Sequence, residues 1–221
     1  MGQTFLTLLT AFFLLSCQGY RIKNEDNPFV SYGIKSVSVP MFINRSSLAN
    51  VSGPLTKEIV MLLASYPGLT IYSGEDSRAD AVLVGIVSSP ARRSDTLKTS
   101  ATNFTSDDLK TSLGSRPEFY APTTTAYTLS LQIALIKDPA REDRELIESS
   151  IGKFINNHPK IIFNQILDVS NSFDRTVKET LTTESEGVTN FTKTKAQFEA
   201  SVQNLAKRAA LDCKELVLNV F

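Results

Sequence analysis

Tyr127-Thr128-Leu129-Ser130-Leu131-Gln132-Ile133-Ala134-Leu135 decides the fold. Tyr127, Leu129, Leu131, Ile133 and Leu135 are apolar, and Thr128, Ser130 and Gln132 between them are polar. A period of two predicts a strand with one face on a core and the other on water or a partner. Upstream, Ala79-Asp80-Ala81-Val82-Leu83-Val84-Gly85-Ile86-Val87 is apolar at odd and even positions alike. A strand buried on both faces has that composition, so this is the central strand. Val37, Val39 and Met41 alternate with Ser36, Ser38 and Pro40 as a further strand, and Leu69–Tyr72 predicts a short one. Ile147, Ile151 and Ile155 lie on one face of a weaker strand ending near Asn156.

Helices lie between and after these strands. Ser52-Gly53-Pro54 offers a cap and a first-turn proline. Leu55, Ile59, Leu62 and Tyr66 then follow at spacings of four, three and four, until Pro67-Gly68 stops the pattern. The final segment is stronger: Phe198, Val202, Leu205, Ala209, Cys213, Leu216 and Val220 share one stripe. Lys195, Glu199, Gln203, Lys207, Asp212 and Lys214 occupy its other face. Pro159 opens another candidate helix, with Ile162, Ile166, Val169, Phe173, Val177 and Leu181 three to four residues apart. The expected architecture is α+β, a two-layer sandwich. Its mixed or antiparallel sheet has about four strands, with two to three helices on one face. The single domain runs over 34–221, with a long polar loop at 88–125 and an inserted helix at 159–189.

Composition narrows the function. The 221 residues are 42% hydrophobic and 21% charged, enough for an ordinary core. Lys+Arg and Asp+Glu are both 23, so no global basic field points to nucleic acid. His occurs once, at His158 before Pro159, where a capping or exposed role is expected. Neither cysteine has metal-ligand spacing, and Cys213 falls in a core stripe as a buried thiol. No Ser-His-Asp or Cys-His set and no phosphate-cradling glycine loop is present, so no catalytic residues, metal or cofactor are expected. The carboxylates Asp107, Asp108, Glu184 and Glu186 fall in polar loops and are read as solvated.

Phe5 to Leu15 is an apolar run of about 11 residues, too short for a bilayer core that needs about 20. It has the length of a signal-peptide h-region. It ends in Leu14-Leu15-Ser16-Cys17, which resembles the bacterial lipobox, where Cys17 is acylated and the chain is cut before it. Met1-Gly2-Gln3-Thr4 lacks the usual basic residue. A plain secretory signal with an incidental cysteine is the competing reading. The expected layout is a signal peptide at 1–16, a tether at 17–33 and the domain after it. Four Asn-X-Ser/Thr sequons, at Asn44, Asn50, Asn103 and Asn190, would matter only in a eukaryotic secreted chain.

Several of these segments occur in a familiar order. Cys17-Gln18-Gly19-Tyr20, Ile34-Lys35-Ser36-Val37-Ser38-Val39-Pro40, and Phe42 with Asn44-Arg45-Ser46 resemble the start of the LptE family of lipopolysaccharide-assembly lipoproteins. Leu55-Thr56-Lys57-Glu58, Ala79 to Gly85, and Ala126-Tyr127-Thr128-Leu129 continue that order. The resemblance covers about Cys17 to Leu135 and the last helix in outline. It implies a lipid-anchored protein at the periplasmic face of the outer membrane. Such a protein plugs an LptD-like β-barrel translocon, helps assemble it and contacts lipopolysaccharide. Family members can carry basic residues just before the third strand. Ala121 to Thr125 holds none, so Arg92, Arg93 and Arg116 are the candidate lipopolysaccharide-binding residues. Gln18 and the long stretches at 88–125 and 159–189 depart from the family pattern. A lipoprotein binding another glycan or apolar ligand is the alternative.

Overall fold

The computed structural model describes residues 26–103, 120–140, 159–175, 191–216 and 218. The predicted strand at 147–156 lies outside them, as do Cys17, Arg116 and His158. The strands are β1 (Ser36–Val39), β2 (Ile43–Asn44), β3 (Thr70–Ser73), β4 (Ala81–Ser88), β5 (Leu97–Asn103), β6 (Tyr120–Lys137) and β7 (Ile161–Asp174). The helices are α1 (Ser52–Ala64), the four-residue α2 (Arg93–Thr96) and α3 (Phe191–Leu216).

All seven strands join one mixed sheet, in place of the four expected. β3, β1 and β4 run parallel, and β2 pairs with β4 beyond the end of β1. β6 is antiparallel to β4, β5 and β7. At 18 residues, β6 is roughly 60 Å long at about 3.3 Å per residue. One edge of β6 is shared. Lys137 to Ser130 pairs with β4, and Tyr127 to Tyr120 pairs with β5. β7 follows the other edge from Ile136 to Thr124.

The doubly apolar run at 81–87 is central, as its composition requires. Leu83 and Val87 join the main core, while Val82, Val84 and Ile86 join a second buried cluster on the opposite face with Ala134 and Ile136. Gly85 belongs to the inner set because the Phe42 ring lies flat against it, closer than any Cβ tolerates. Thr56 fixes that crossing, since its Oγ1 accepts a hydrogen bond from Phe42 N at 3.0 Å.

α1 and α3 form the second layer. Leu55, Ile59, Leu63 and Tyr66 of the α1 segment are buried, close to the predicted stripe. Gly68 takes a φ of 74°, so the stop after Pro67 is the left-handed turn that glycine permits. α3 buries Val202, Leu205, Ala209 and Cys213, as predicted, and begins seven residues before Phe198.

Three expectations are corrected. The helix expected at 159–189 is β7 over 161–174. Phe163, Leu167, Val169 and Phe173 fall on its inner face at even intervals, and the β6 ladder supplies hydrogen bonds that a helix there would forgo. The loop expected at 88–125 contains β5 and the start of β6, held by backbone pairing without an apolar face. The tether expected at 17–33 has already joined the domain by Asn27. Phe29 is fully buried and stacks on Phe163 at 6.2 Å, and the Val30–Tyr32 turn ends in an αL glycine, Gly33.

A clamp closes the start of the sheet. Asp80 Oδ2 accepts from Lys35 N, Ser36 N and Ser36 Oγ at 2.8–2.9 Å, and Asp80 N donates to Ser36 Oγ at 3.0 Å. Those donors, the Lys35 amide first, hold the carboxyl below its ordinary range. The stabilisation is therefore complete above the unfolded-chain value near 4 and is lost as pH falls from there through the lower folded value. Because the clamp is partly open to water, Asp80→Asn should cost about 1 kcal/mol at pH 7. Urea melts should show the two proteins converging as pH falls below about 4 through the folded value of Asp80. Gly85→Ala should cost about 1–3 kcal/mol by overpacking Phe42, read as a lower urea midpoint at unchanged slope.

Candidate functional site

The interrupted edge of β6 creates the candidate site. β4 ends with Ser88 opposite Ser130, and β5 begins with Leu97 opposite Tyr127. Residues 89–96 bridge the gap as a short excursion. Its turn is closed by the Arg92 carbonyl, which accepts from Asp95 N at 3.0 Å and Thr96 N at 3.2 Å. Thr96 is buried beneath it, with Oγ1 3.2 Å from the Pro90 carbonyl. Arg92 and Arg93 ride on this excursion. Both are exposed and neither forms an ion pair among the described residues. The structure thus brings two of the three candidate arginines side by side.

The outer face of the β6–β7 ribbon is largely polar, with Ile166 exposed among its polar groups. Directly opposed residues satisfy one another. Ser130 Oγ donates to Asp168 Oδ1 at 2.6 Å, and Thr124 Oγ1 donates to Asp174 Oδ1 at 2.9 Å. On the diagonal, Gln132 Nε2 donates to Asn164 Oδ1 at 2.9 Å. Thr128, Ser170 and Ser172 are exposed on the same face. The expectation of a polar face on the 127–135 strand therefore holds for the distal half of the sheet. Nearer Lys137, the outer face carries the second apolar cluster instead.

α3 braces the inner side of this ribbon. Ser201 Oγ donates to the Phe198 carbonyl at 2.8 Å, leaving its lone pairs for the Tyr127 hydroxyl at 2.9 Å. Burial of Tyr127 raises its pKa, so this hydroxyl keeps its proton. The Tyr127, Phe173 and Phe198 rings meet edge-on or tilted at 5.3–6.4 Å. Asn171 Nδ2 donates to the Ser201 carbonyl at 2.7 Å, and Arg208 caps the Ser170 carbonyl on the β7 edge at 2.8 Å. Where α3 passes the loop before α1, a cleft of about 450 Å³ remains. Ala49, Asn50 and Pro54 form one wall, and Lys195, Phe198, Glu199, Val202 and Gln203 form the other.

The carboxylates of the ribbon accept from hydroxyls, and among the described residues no imidazole lies beside them. Among the described residues no three His, Cys, Asp or Glu side chains converge as a metal set. Burial pushes the Cys213 thiol up to about 12, which removes it as a nucleophile near neutrality. No described helix is long and apolar enough to cross a membrane. The sequence reading missed β5 and the extension of β6 to Tyr120. The β-branched run Thr123-Thr124-Thr125 was the available signal.

No protein-family model matches the sequence, and neither does any curated protein sequence. Solved structures give distant likenesses. A lipoprotein of Neisseria meningitidis shares 12% identity over 77% of this chain and 97% of its own, with a TM-score of 0.34. Rare lipoprotein B of Shewanella oneidensis shares 6% over 83% and 95%, also at 0.34. PelC of Paraburkholderia phytofirmans, a dodecamer, shares 9% over 79% and 84%, at 0.33. Similarity at this level carries no functional assignment.

Reversing both arginines separates binding from folding. Because both side chains are solvated, Arg92→Glu with Arg93→Glu should shift stability by no more than about 0.5 kcal/mol in a urea melt. Tyr127→Ala, which empties the aromatic joint, should cost about 3–5 kcal/mol in the same measurement.

Proposed function

We propose that this chain is a lipid-anchored, non-enzymatic subunit of the outer membrane. It sits in the lumen of an LptD-like β-barrel, helps assemble it, and contacts lipopolysaccharide on its way to the cell surface. The observation that carries this reading is the shape and polarity of the β6–β7 ribbon. β6 is roughly 60 Å long, of which roughly 43 Å pairs with β7, and apart from exposed Ile166 and Ala126 the distal outer face of the ribbon carries hydroxyls, amides and hydrogen-bonded carboxylates. A large barrel presents polar side chains to a wet interior, so an insert needs a polar exterior and a rigid backbone.

The described part of the chain begins at the opposite end. The first described residues pack beside Phe163 and Lys137, whose Nζ donates to the Tyr32 carbonyl at 2.8 Å. Cys17 to Asp26 spans at most roughly 30 Å when extended. Acylated Cys17 would hold this end near the inner leaflet while the ribbon projects away. Several acyl chains on one cysteine suit stable anchoring, at about 0.8 kcal/mol per buried CH₂. Arg92, Arg93 and Arg116 would meet lipopolysaccharide phosphates through the bidentate geometry of guanidinium.

The reading is tested in membranes. Mass spectrometry of the mature chain should find three acyl groups on Cys17, and Cys17→Ala should move the protein out of the membrane fraction. Detergent extracts should yield a complex with a large β-barrel. An anchored chain without a barrel would leave a lipoprotein that binds another ligand; an unacylated chain would end the membrane reading. Photo-crosslinking to lipopolysaccharide should drop about tenfold when the three arginines become Glu, and unchanged crosslinking would remove them from the site.

A further inference from the structure

The two methionines among the described residues share one cleft. Met41 lies between β1 and β2, and Met61 lies on α1. Both line an open cavity of about 230 Å³, together with Gly53, Thr56, Val60 and Ser73. Methionine usually fills gaps in a core. Here Met41 is 65% exposed and Met61 is 54% exposed. The Cys213 sulfur does not compete with them for a dissolved oxidant, because it is buried and its thiol keeps its proton. Among the described residues, the sulfur atoms open to water are these two thioethers.

The two sulfurs differ in one respect. Thr56 Oγ1 lies 3.6 Å from Met41 Sδ, whereas no hydrogen bond reaches Met61 Sδ among the described residues. Thr56 is itself fixed. It is buried on α1, and its hydroxyl accepts from Phe42 N at 3.0 Å and donates to the Ser52 carbonyl at 2.8 Å. The one hydroxyl proton is shared between that carbonyl and the sulfur, as a strong arm and a weak one. Phe42, next to Met41 in the chain, is pinned in turn against Gly85. Met41 therefore rests against a group that does not turn away from it.

A thioether sulfur has a lone pair on each side of its C–S–C plane, and oxygen transfer to one side or the other gives opposite sulfoxide epimers. With hydrogen peroxide, a sulfur lone pair attacks one oxygen and the O–O bond breaks. The S–O bond forms, and the second oxygen leaves as water after taking the proton of the first. The sulfur is oxidised by two electrons and the peroxide is reduced by two. The oxidant has to touch the sulfur, and Thr56 Oγ1 at 3.6 Å leaves no room for it in between. The side of Met41 Sδ that faces Thr56 is closed, and the opposite side is open to water.

We propose that Met41 is an oxidation site at which a peroxide-class oxidant delivers its oxygen to one side of the sulfur, so that one sulfoxide epimer accumulates. Restoring the thioether then falls to the one class of sulfoxide reductase that accepts this epimer, since each class acts on a single hand. A weak contact of the O–H···S kind biases a side chain about two- to fivefold, and the expected excess has that size. Met61, equally reachable but without such a neighbour, gives the two epimers in near-equal amounts. The site belongs to the folded domain and uses neither the barrel reading nor the arginines.

The test treats the full chain with hydrogen peroxide, digests it, and divides the digest between the two stereospecific methionine sulfoxide reductases. Mass spectrometry then measures the sulfoxide left in the Met41 and Met61 peptides. Met41 should show one epimer in about two- to fivefold excess, and Met61 should show near-equal amounts. Unfolding the chain in urea before oxidation should equalise Met41 as well. Thr56→Ser, which keeps the hydroxyl, should retain the excess. Thr56→Ala, which opens the closed side, should abolish it, with circular dichroism reporting whether the variant folds. Were Thr56→Ala to unfold, the folded and urea-treated wild-type chains would carry the decision. Equal epimers at Met41 in the folded wild type would overturn the proposal. So would an excess that persists in urea or in folded Thr56→Ala.

Discussion

One strand has to satisfy three neighbours at once. β6 offers one edge to β4 and then to β5, and the whole of its other edge to β7. In any ladder a slip of one residue turns every side chain to the opposite face. Here such a slip would place Tyr127, Leu129, Leu131, Ile133 and Leu135 outside and leave the helices facing Thr128, Ser130 and Gln132. The outer face adds its own penalty, since Ser130 with Asp168 and Thr124 with Asp174 match only in the observed register. Hydrophobic burial on one side and paired polar groups on the other therefore select the same alignment. The irregularities sit away from the middle, between Ser100 and Ala101 on β5 and between Leu135 and Ile136 on β6.

The helix layer follows from that alignment. α3 has 26 residues, roughly 39 Å at 1.5 Å each, so it cannot cover the whole ribbon and must be placed along it. Its place is set by directional contacts: the Tyr127 hydroxyl on Ser201, Asn171 on the Ser201 carbonyl, and Arg208 on the β7 edge. The last also occupies a backbone carbonyl on an edge strand that would otherwise invite another chain. α1 packs on α3 and on the parallel part of the sheet, where Phe42 can lie on β4 only because position 85 is glycine.

What the sequence made legible is what burial imprints on it. The α1 stripe, the α3 stripe, the alternation at 127–135 and the doubly apolar run at 81–87 all name residues that lie in a core. β7 was misread because its apolar residues satisfy two periods. Ile162, Ile166, Val169 and Phe173 fit a helix, whereas Phe163, Leu167, Val169 and Phe173 fit a strand. Gln165 and Asn171 break the alternation, one exposed and the other spent on the α3 backbone. Local pattern had no means of choosing; the long-range ladder with β6 did. β5 left no imprint, since Lys98-Thr99-Ser100-Ala101 is held by backbone pairing and by the Thr99–Thr125 hydroxyl contact at 3.1 Å. Phe29 was one aromatic in a polar stretch, and only the position of Phe163 gives it a partner. At the candidate site, the adjacency of Arg92 and Arg93 was plain, but the turn that carries them was not.

The outer face and the cleft beside α3 differ in polarity. On the ribbon, the carboxylates and amides are already bonded to one another, so a partner laid against them exchanges one set of hydrogen bonds for another and gains little net energy. Such a face tolerates a wet, polar wall and suits large, loosely solvated contact. The cleft has the opposite character, because an alkyl chain entering it removes apolar surface from water at about 25 cal/mol per Å² without breaking any bond in the walls. A polar face and an apolar cleft are thus carried by different surfaces of one ladder, and neither requires the other to move.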